Sequence, residues 1–432
     1  MLLLLLLALQ ATPADSVPAA TSIPRITLAE AVRRSSRFDP DYVRALGQID
    51  NAEWGRRAAM IAFFVPSVDL GLEQTRYNES FFNPADPANP TSTLVVGRAS
   101  ANYEIFSVRK FAEISRTKAE VASAEAGELE QRFNAALETE SSYYDVLVNQ
   151  ELSRVNAERT RRAREGLLVA RARVGSGAAV QTDSLQLVLE LVRSQVDSLR
   201  QHNALRTAQL DLGRRVGADG PVDAVPLDTL RAPPLPITLS QAVQLGLDQG
   251  PQYRAAQADE RAAAATLKAY RGEYLPVLSV GALHQRYDTG LFPSGSNITS
   301  VTFGLSFPLW NNGQREIEVT RARVNRDVSR AIREDLARVV RRDVTSSYDG
   351  YQVTAAAVDL AEVAVTVASQ TYRMQELRYR SGATTILDLL DSQVDLAEAE
   401  AGLVQARYLN RLALAQLEAI LGRRLFTNKD TQ

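Results

Sequence analysis

The chain has no cysteine and only two histidines, His202 and His284. Disulfides, thiolate metal sites, cysteine nucleophiles and an amino-terminal lipid-bearing Cys are thereby excluded, as is a histidine-rich metal centre. Charge of one sign is also missing. Lys and Arg number 49 against 51 Asp and Glu, for a formal charge of −2, so nothing provides the basic field a nucleic-acid binder uses. No Gly-rich phosphate loop, catalytic triad or metal-ligand spacing is found, so neither enzyme chemistry nor a cofactor is expected. Long hydrophobic runs are scarce. Met1 to Leu9 reads MLLLLLLAL, too short for the ~20 residues of a membrane helix but matched to a secretory apolar core of ~7–15, although no basic segment precedes it. Residues 1–20 therefore read as an export signal. No later stretch approaches 18 apolar residues, so entry into a membrane by helices is not expected. Hydrophobic residues still make up 45% of the 432, enough to bury substantial cores.

Proline is absent where it matters most. All 17 prolines fall at or before Pro308, and none lies between Pro90 and Pro221. Both proline-free segments are rich in Ala, Leu, Glu, Arg and Gln, the strongest helix formers. One helix is predicted from Arg109 to about Ala172 and another from Gln314 to about Tyr379, each about 95 Å long at 1.5 Å per residue. Each ends at a Ser-Gly element and is followed by a second helix, near 178–213 and 384–421. The pattern predicts two long antiparallel hairpins, over about 109–213 and 314–421. Leu185, Leu189, Val192, Val196 and Leu199 step by 4, 3, 4 and 3 residues, as do Leu390, Val394, Ala397, Ala401 and Val404. This is a coiled-coil seam; an ordinary amphipathic bundle helix would carry nearly the same stripe.

The two seams lie 205 residues apart, and so does much else. Arg173, Ser176, Gly177, Ala178, Asp183 and Leu185 are matched by Arg378, Ser381, Gly382, Ala383, Asp388 and Leu390. Tyr143 and Tyr348, each behind a Ser-Ser pair, keep the same offset. Ile26-Thr27-Leu28-Ala29-Glu30-Ala31-Val32 recurs as Ile237-Thr238-Leu239-Ser240-Gln241-Ala242-Val243. A repeat this long is a duplicated domain. The expected organisation is a first repeat over 21–217, a Pro-rich linker over 218–236, a second repeat over 237–422 and a tail over 423–432.

Each half also contains a strand pair. Val95, Gly97, Ala99, Ala101, Tyr103 and Ile105 alternate with Val96, Arg98, Ser100, Asn102 and Glu104, and Val301, Phe303, Leu305, Phe307 and Leu309 alternate with Thr302, Gly304 and Ser306. Strands are expected near 67–77, 94–106, 277–287 and 300–309. Small or apolar residues on one face, polar residues on the other and aromatics near the ends suit a membrane barrel wall; a soluble hairpin with one buried face has the same period. Such barrels need at least ~8 strands without an open edge. Four strands therefore demand several copies of the chain.

With these features the chain resembles the TolC-type outer-membrane efflux proteins, the outer-membrane factor family. The resemblance rests on Leu28-Ala29-Glu30-Ala31-Val32 with Asp39-Pro40, on its degenerate copy ending at Gly250-Pro251, and on the tips Arg173-Val174-Gly175-Ser176-Gly177 and Arg378-Tyr379-Arg380-Ser381-Gly382. It implies a mainly α fold in which twelve strands of a homotrimer form an outer-membrane β-barrel and the duplicated hairpins form a periplasmic α-barrel. It also implies partners: a periplasmic adaptor (membrane fusion) protein and an inner-membrane pump, for which the duct is a passive exit in efflux or type I secretion. The tips Val174, Gly175, Ser176, Gly177, Ser381 and Gly382 would meet the adaptor, and Asp388 and Asp391, with Asp183 of the first half, would form the channel gate. One departure stands out: where some members carry an Arg two residues after the second tip glycine, this chain has Thr384. More ordinary roles are available too. Thr385 to Asp388 reads as a capping box, and Gly177 and Gly382 as residues that permit a sharp reversal. The reading from another class is a soluble coiled-coil scaffold, which accounts for the helices but not for the strands or the leader.

Overall fold

The computed structural model describes residues 23–84, 86–227, 233–290 and 295–426; the expected export signal and residues 427–432 of the expected tail lie outside these. In chain order the first half comprises β1 (Arg25–Ile26), α1 (Leu28–Phe38), α2 (Pro40–Phe64), β2 (Ser67–Phe81), β3 (Thr91–Phe106), α3 (Val108–Gly175) and α4 (Gln181–Arg215). The second comprises β4 (Asp223–Ala224), α5 (Leu239–Gln249), α6 (Pro251–Gly272), β5 (Val277–Asp288), β6 (Asn297–Ser306), α7 (Gln314–Ser381) and α8 (Ile386–Leu421).

Local chemistry sets the short helices. Thr27 caps α1 by accepting from the Glu30 N–H, and Thr238 forms a full capping box with Gln241 on α5. Asp39 accepts from the N–H groups of Asp41 and Tyr42 at 3.0 and 2.9 Å, with Pro40 in the first turn of α2. In the second half Gly250 precedes Pro251 and supplies no side-chain cap.

Helices α3 and α7 are 68 residues each, about 100 Å at the standard rise. Helix α4 folds back antiparallel on α3, tied by Arg159 to Glu190 at 2.8 Å and Gln201 to Asn149 at 2.8 Å. Helix α8 folds back on α7, tied by Arg407 to Glu362 and Asn410 to Thr354, both at 3.0 Å. Arg162 and Glu400, 2.8 Å apart, join α3 to α8. The tip-side half is thus a sheet of helices in the order α7–α8–α3–α4, whose two edges are α7 and α4. Nearer the strands, α6 lies against both α3 (Ser123 to Asp259, 2.7 Å) and α7 (Arg333 to Glu260).

The seam of α4 is not used inside the chain. Leu185, Leu189, Val192, Val196 and Leu199 are all exposed, while Leu187, Glu190, Ser194 and Leu212 face α3. In the tip-side half of α8 the buried positions are Ile386, Leu389, Ser392, Gln393 and Leu396, and Val394 of the expected seam is exposed. Edge helix α7 has a bare stripe of its own in Val353, Leu360, Val367 and Met374, each seven residues from the next. The same stripe bears on one expectation. Helix α7 is long and apolar enough, by length and composition alone, to cross a membrane. The heptad spacing explains it as a one-sided seam rather than an apolar cylinder.

Four strands form one antiparallel sheet in the order β2–β3–β5–β6, so β3 and β5 join the halves and β2 and β6 are open edges. Register aligns like with like: Val68, Ala101, Ala282 and Val301 share one row, and Asp69, Ser100, Leu283 and Ser300 the next, on the opposite face. Val68, Leu70, Val301, Phe303 and Leu305 leave an exposed apolar face. Strand β6 runs from Asn297 to Ser306 rather than 300–309, because Pro308 cannot donate to a ladder. The parallel pair β1–β4 was not legible, since two residues carry no period. It draws part of the linker into a core, with Val222 and Ala224 buried and the Tyr143 hydroxyl donating to the Val225 carbonyl at 2.6 Å. Its counterpart Tyr348 donates to the Ile237 carbonyl at 3.2 Å.

Candidate functional site

The two hairpin tips are built alike and sit side by side. At the first, the Ala178 N–H donates to the Arg173 carbonyl at 2.8 Å and the Gly177 N–H to the Val174 carbonyl at 3.0 Å. At the second, Ala383 donates to Arg378 at 2.8 Å and Gly382 to Tyr379 at 3.1 Å. Both are Schellman turns, with Gly177 at φ +77° and Gly382 at φ +81°. Ser176 and Ser381 each return a hydroxyl to the carbonyl three residues back. Leu167, Ala170, Leu187, Tyr379, Ile386 and Leu389 pack the tips into one core. Gly177→Ala and Gly382→Ala should each lower stability by about 1 kcal/mol or more, since a left-handed site penalises a Cβ. The second should cost more in thermal denaturation, because its Cβ would lie 3.3 Å from Arg173 Nη2 while that of Gly177 meets nothing.

Arg173 is the tie between the tips. Its guanidinium donates to the Tyr379 carbonyl and, at 3.1 Å, to the Ala178 carbonyl, and it stacks 4.6 Å from the Tyr379 ring centre. Tyr379 is 1% exposed, and burial, reinforced by the charge of Asp183, pushes its hydroxyl pKa up. Asp183 is thus half-buried in an Arg173–Tyr379 cluster, apart from the other two gate candidates. Asp388 is exposed and accepts from the Thr385 N–H at 3.1 Å and from the hydroxyls of Thr385 and Thr384 at 2.6 and 2.8 Å. The Thr385 hydroxyl, then that of Thr384, holds its carboxyl below the usual range. Thr384, standing where an Arg was looked for, is therefore part of the cap. Asp391, one turn on, is exposed and has no hydrogen-bond or ion-pair partner among the described residues.

The acidic stripe is longer than the sequence reading took it to be. Asp395 and Glu398 continue it at steps of 4 and 3, and both are exposed. Their i, i+3, i+7 spacing is legible in the sequence but is not among the features that the sequence reading singled out. Among the tip candidates Gly175, Ser176, Gly177, Ser381 and Gly382 are exposed, whereas Val174 is half-buried. Val180 and Leu387, beside the tips, are exposed apolar residues that the motif comparison missed.

Two long helical hairpins and one four-stranded sheet make up the architecture of this chain. Its fold matches that of CusC, known for conformational changes accompanying folding and transmembrane channel formation, with a TM-score of 0.79, 15% identity and 92% of each chain covered. The chain belongs to the outer membrane efflux protein family, whose profile matches residues 40–218 and 242–423, and it is accordingly an outer-membrane protein. It is 24% identical over 306 residues to the outer membrane efflux protein BepC of Brucella suis biovar 1, covering 68% of this chain and 66% of BepC. It is 26% identical over 306 residues to the pyoverdine export outer membrane protein OpmQ of Pseudomonas aeruginosa, covering 65% of this chain. The chain thus spans 66% and 58% of the lengths of these two relatives.

Proposed function

We propose that the chain is one third of a trimeric exit duct, a passive conduit across periplasm and outer membrane that takes substrates from an inner-membrane pump through a periplasmic adaptor. The observation that carries this reading is the sheet: four strands, one exposed apolar face, and open edges at β2 and β6. In hydrocarbon every unpaired backbone N–H or C=O along a strand edge costs several kcal/mol, so such a sheet is tenable only when closed by others. Three copies supply twelve strands. The duplicated hairpins support the same closure, because their layer has α4 and α7 at its edges, each with an uncovered apolar stripe. A contact of α4 with the α7 of the next copy is heterologous and closes into a ring.

In such a ring Asp388 and Asp391 would recur around the entrance, creating a negative potential that favours cations. Asp388 is also occupied as a cap, so Asp391 is the cleaner probe. In planar bilayers, purified protein should conduct, and Asp391→Asn should lower cation selectivity and block by multivalent cations without lowering the melting temperature. Thr385→Ala should do the reverse. Absence of any conductance from inserted wild-type protein would overturn the duct reading.

The exposed tip residues Ser176 and Ser381 are the proposed adaptor contacts, with Val180 and Leu387 as apolar anchors beside them. Since the chain has no cysteine, Ser176→Cys and Ser381→Cys each place a single thiol there. Both should cross-link to the cognate adaptor while a cysteine at Ser346, midway along α7 and exposed, should not.

A further inference from the structure

The two halves differ where the last strand of each meets its long helix. In the first half Ser107 alone separates β3 from α3; in the second, Phe307-Pro308-Leu309-Trp310-Asn311-Asn312-Gly313 stand between β6 and α7. One residue suffices to join strand to helix, so the longer connection is not a requirement of the fold. It is nevertheless firmly held. Asn312 and Gly313 take left-handed φ values of +58° and +78°, and the Arg315 N–H donates to Asn311 Oδ1 at 3.3 Å. Arg315 is 8% exposed; its guanidinium donates to the Pro308 carbonyl at 2.9 Å and lies 3.9 Å from the centre of the Tyr274 ring. The Tyr274 hydroxyl in turn donates to Glu316 at 3.2 Å. The connection is thus clasped to the one joining α6 to β5, yet it leaves Leu309 and Trp310 77% and 74% exposed. Large apolar side chains held out in this way mark a contact surface.

We propose that Leu309 and Trp310 anchor the chain in the periplasmic leaflet of the outer membrane, at the boundary between phospholipid acyl chains and headgroups, and that Arg315 positions them there. The proposal rests on the reading of the sheet as a membrane barrel wall. The exposed apolar face of that sheet supplies the continuity: Val301, Phe303 and Leu305 are followed at the same two-residue step by Phe307 and Leu309, all exposed. Asn311 and Asn312 end the run, and α7 begins directly after Gly313. The chain therefore passes from apolar to polar at Trp310, on the side from which the helices leave. An indole has an apolar body and an N–H donor, and tryptophan collects at membrane interfaces for that reason. Trp310 has no hydrogen-bond partner among the described residues, so its N–H is available to a headgroup or to interfacial water. A membrane boundary satisfies both parts of the side chain at once.

The chain has two tryptophans, Trp54 and Trp310, so Trp54→Phe and Trp310→Phe each leave a single fluorescent reporter. Trp54 lies ten residues before the end of α2, about 15 Å along the helix axis, and serves as the control outside the bilayer. Each variant of the full chain is reconstituted in phosphatidylcholine vesicles whose acyl chains carry bromine either near the headgroup or near the chain end. Trp310 should lose most of its emission to the shallow bromine and less to the deep one, while Trp54 should lose none to either. Adding Arg315→Gln should diminish the shallow quenching of Trp310 and shift its emission to the red, with the helical circular dichroism unchanged; an unchanged depth profile refutes the positioning role. The anchor itself is judged on the Trp54→Phe form, which keeps Arg315. Trp310 left unquenched in vesicles that conduct overturns the anchor alone, since the residues are then covered by a neighbouring copy or another protein while the duct stands. Equal quenching at both depths overturns the interfacial placement. Vesicles that never conduct refute the duct and the anchor together.

Discussion

A chain carrying Leu185→Asp and Leu199→Asp should be recovered from detergent as a folded monomer, where the unaltered chain gives a trimer by native mass measurement. Both leucines are largely exposed within one chain, 59% and 73%, so neither substitution removes a contact that holds the hairpin together. Between copies the account reverses. Burying a leucine contributes about 1.5–3 kcal/mol, and a ring of three buries each seam three times, so six side chains are lost together. Each replacement also sets a carboxylate into an apolar seam, where ionisation is strongly disfavoured without a partner. The helical circular dichroism of the variant should match that of the parent. A stable trimer of the double variant would show that the stripe of α4 does not meet the neighbouring copy. The matching change on the other edge, Leu360→Asp, should have the same sign.

Arg424→Met should destabilise each chain by about 3–5 kcal/mol near neutral pH, the usual cost of leaving buried charge unpaired. Arg424 lies between Glu140 of α3 and Glu418 of α8, both 4% exposed, and pairs with each, at 2.7 Å to Glu418. The Leu425 N–H adds a hydrogen bond to Glu418 at 2.7 Å. Arg424 and Leu425 thereby clamp the two hairpins, although the sequence assigns them to a tail. Burial raises the Glu140 pKa, and the Arg424 charge opposes that shift. A carboxyl with a raised folded pKa contributes stability that is full below its unfolded value and lost as pH rises through the folded one. Removing Arg424 raises the folded value further and widens this window. The deficit of the variant should therefore shrink as pH falls toward about 4.5, by thermal melting followed from pH 4 to 8. Arg424→Lys, which keeps the charge, should recover part of the loss; a deficit independent of pH would mean that packing against Phe133, not charge, carries the effect.

Much of this architecture is written locally. Proline-free, Ala- and Leu-rich segments could only be helices, and Ser-Gly followed by a threonine or valine marks where each reverses. The 205-residue offset anticipates that Ala178 and Ala383 close identical turns. Alternation in residues 95–105 and 301–309 anticipates two faces of a sheet, and register then puts apolar opposite apolar. Other features had no local trace. Two-residue strands have no period, so β1 and β4 went unseen until Tyr143 and its carbonyl partners came together. A heptad stripe looks the same whether it meets its own hairpin partner or another chain.

The sequence by itself determined the two long helical hairpins and the four long strands, where the hairpins turn and which residues are apolar along each stripe, because those properties depend on neighbours within a few residues. Only the tertiary structure decided that α4 and α7 are the edges of the helical layer, that β3 pairs with β5, that Asp183 joins Arg173 and Tyr379 while Asp391 stays exposed, and that Arg424 reaches Glu140. Those outcomes depend on residues up to 284 positions apart in the chain, and contacts of that range are set by which buried surfaces and charges can be satisfied together, not by any local preference.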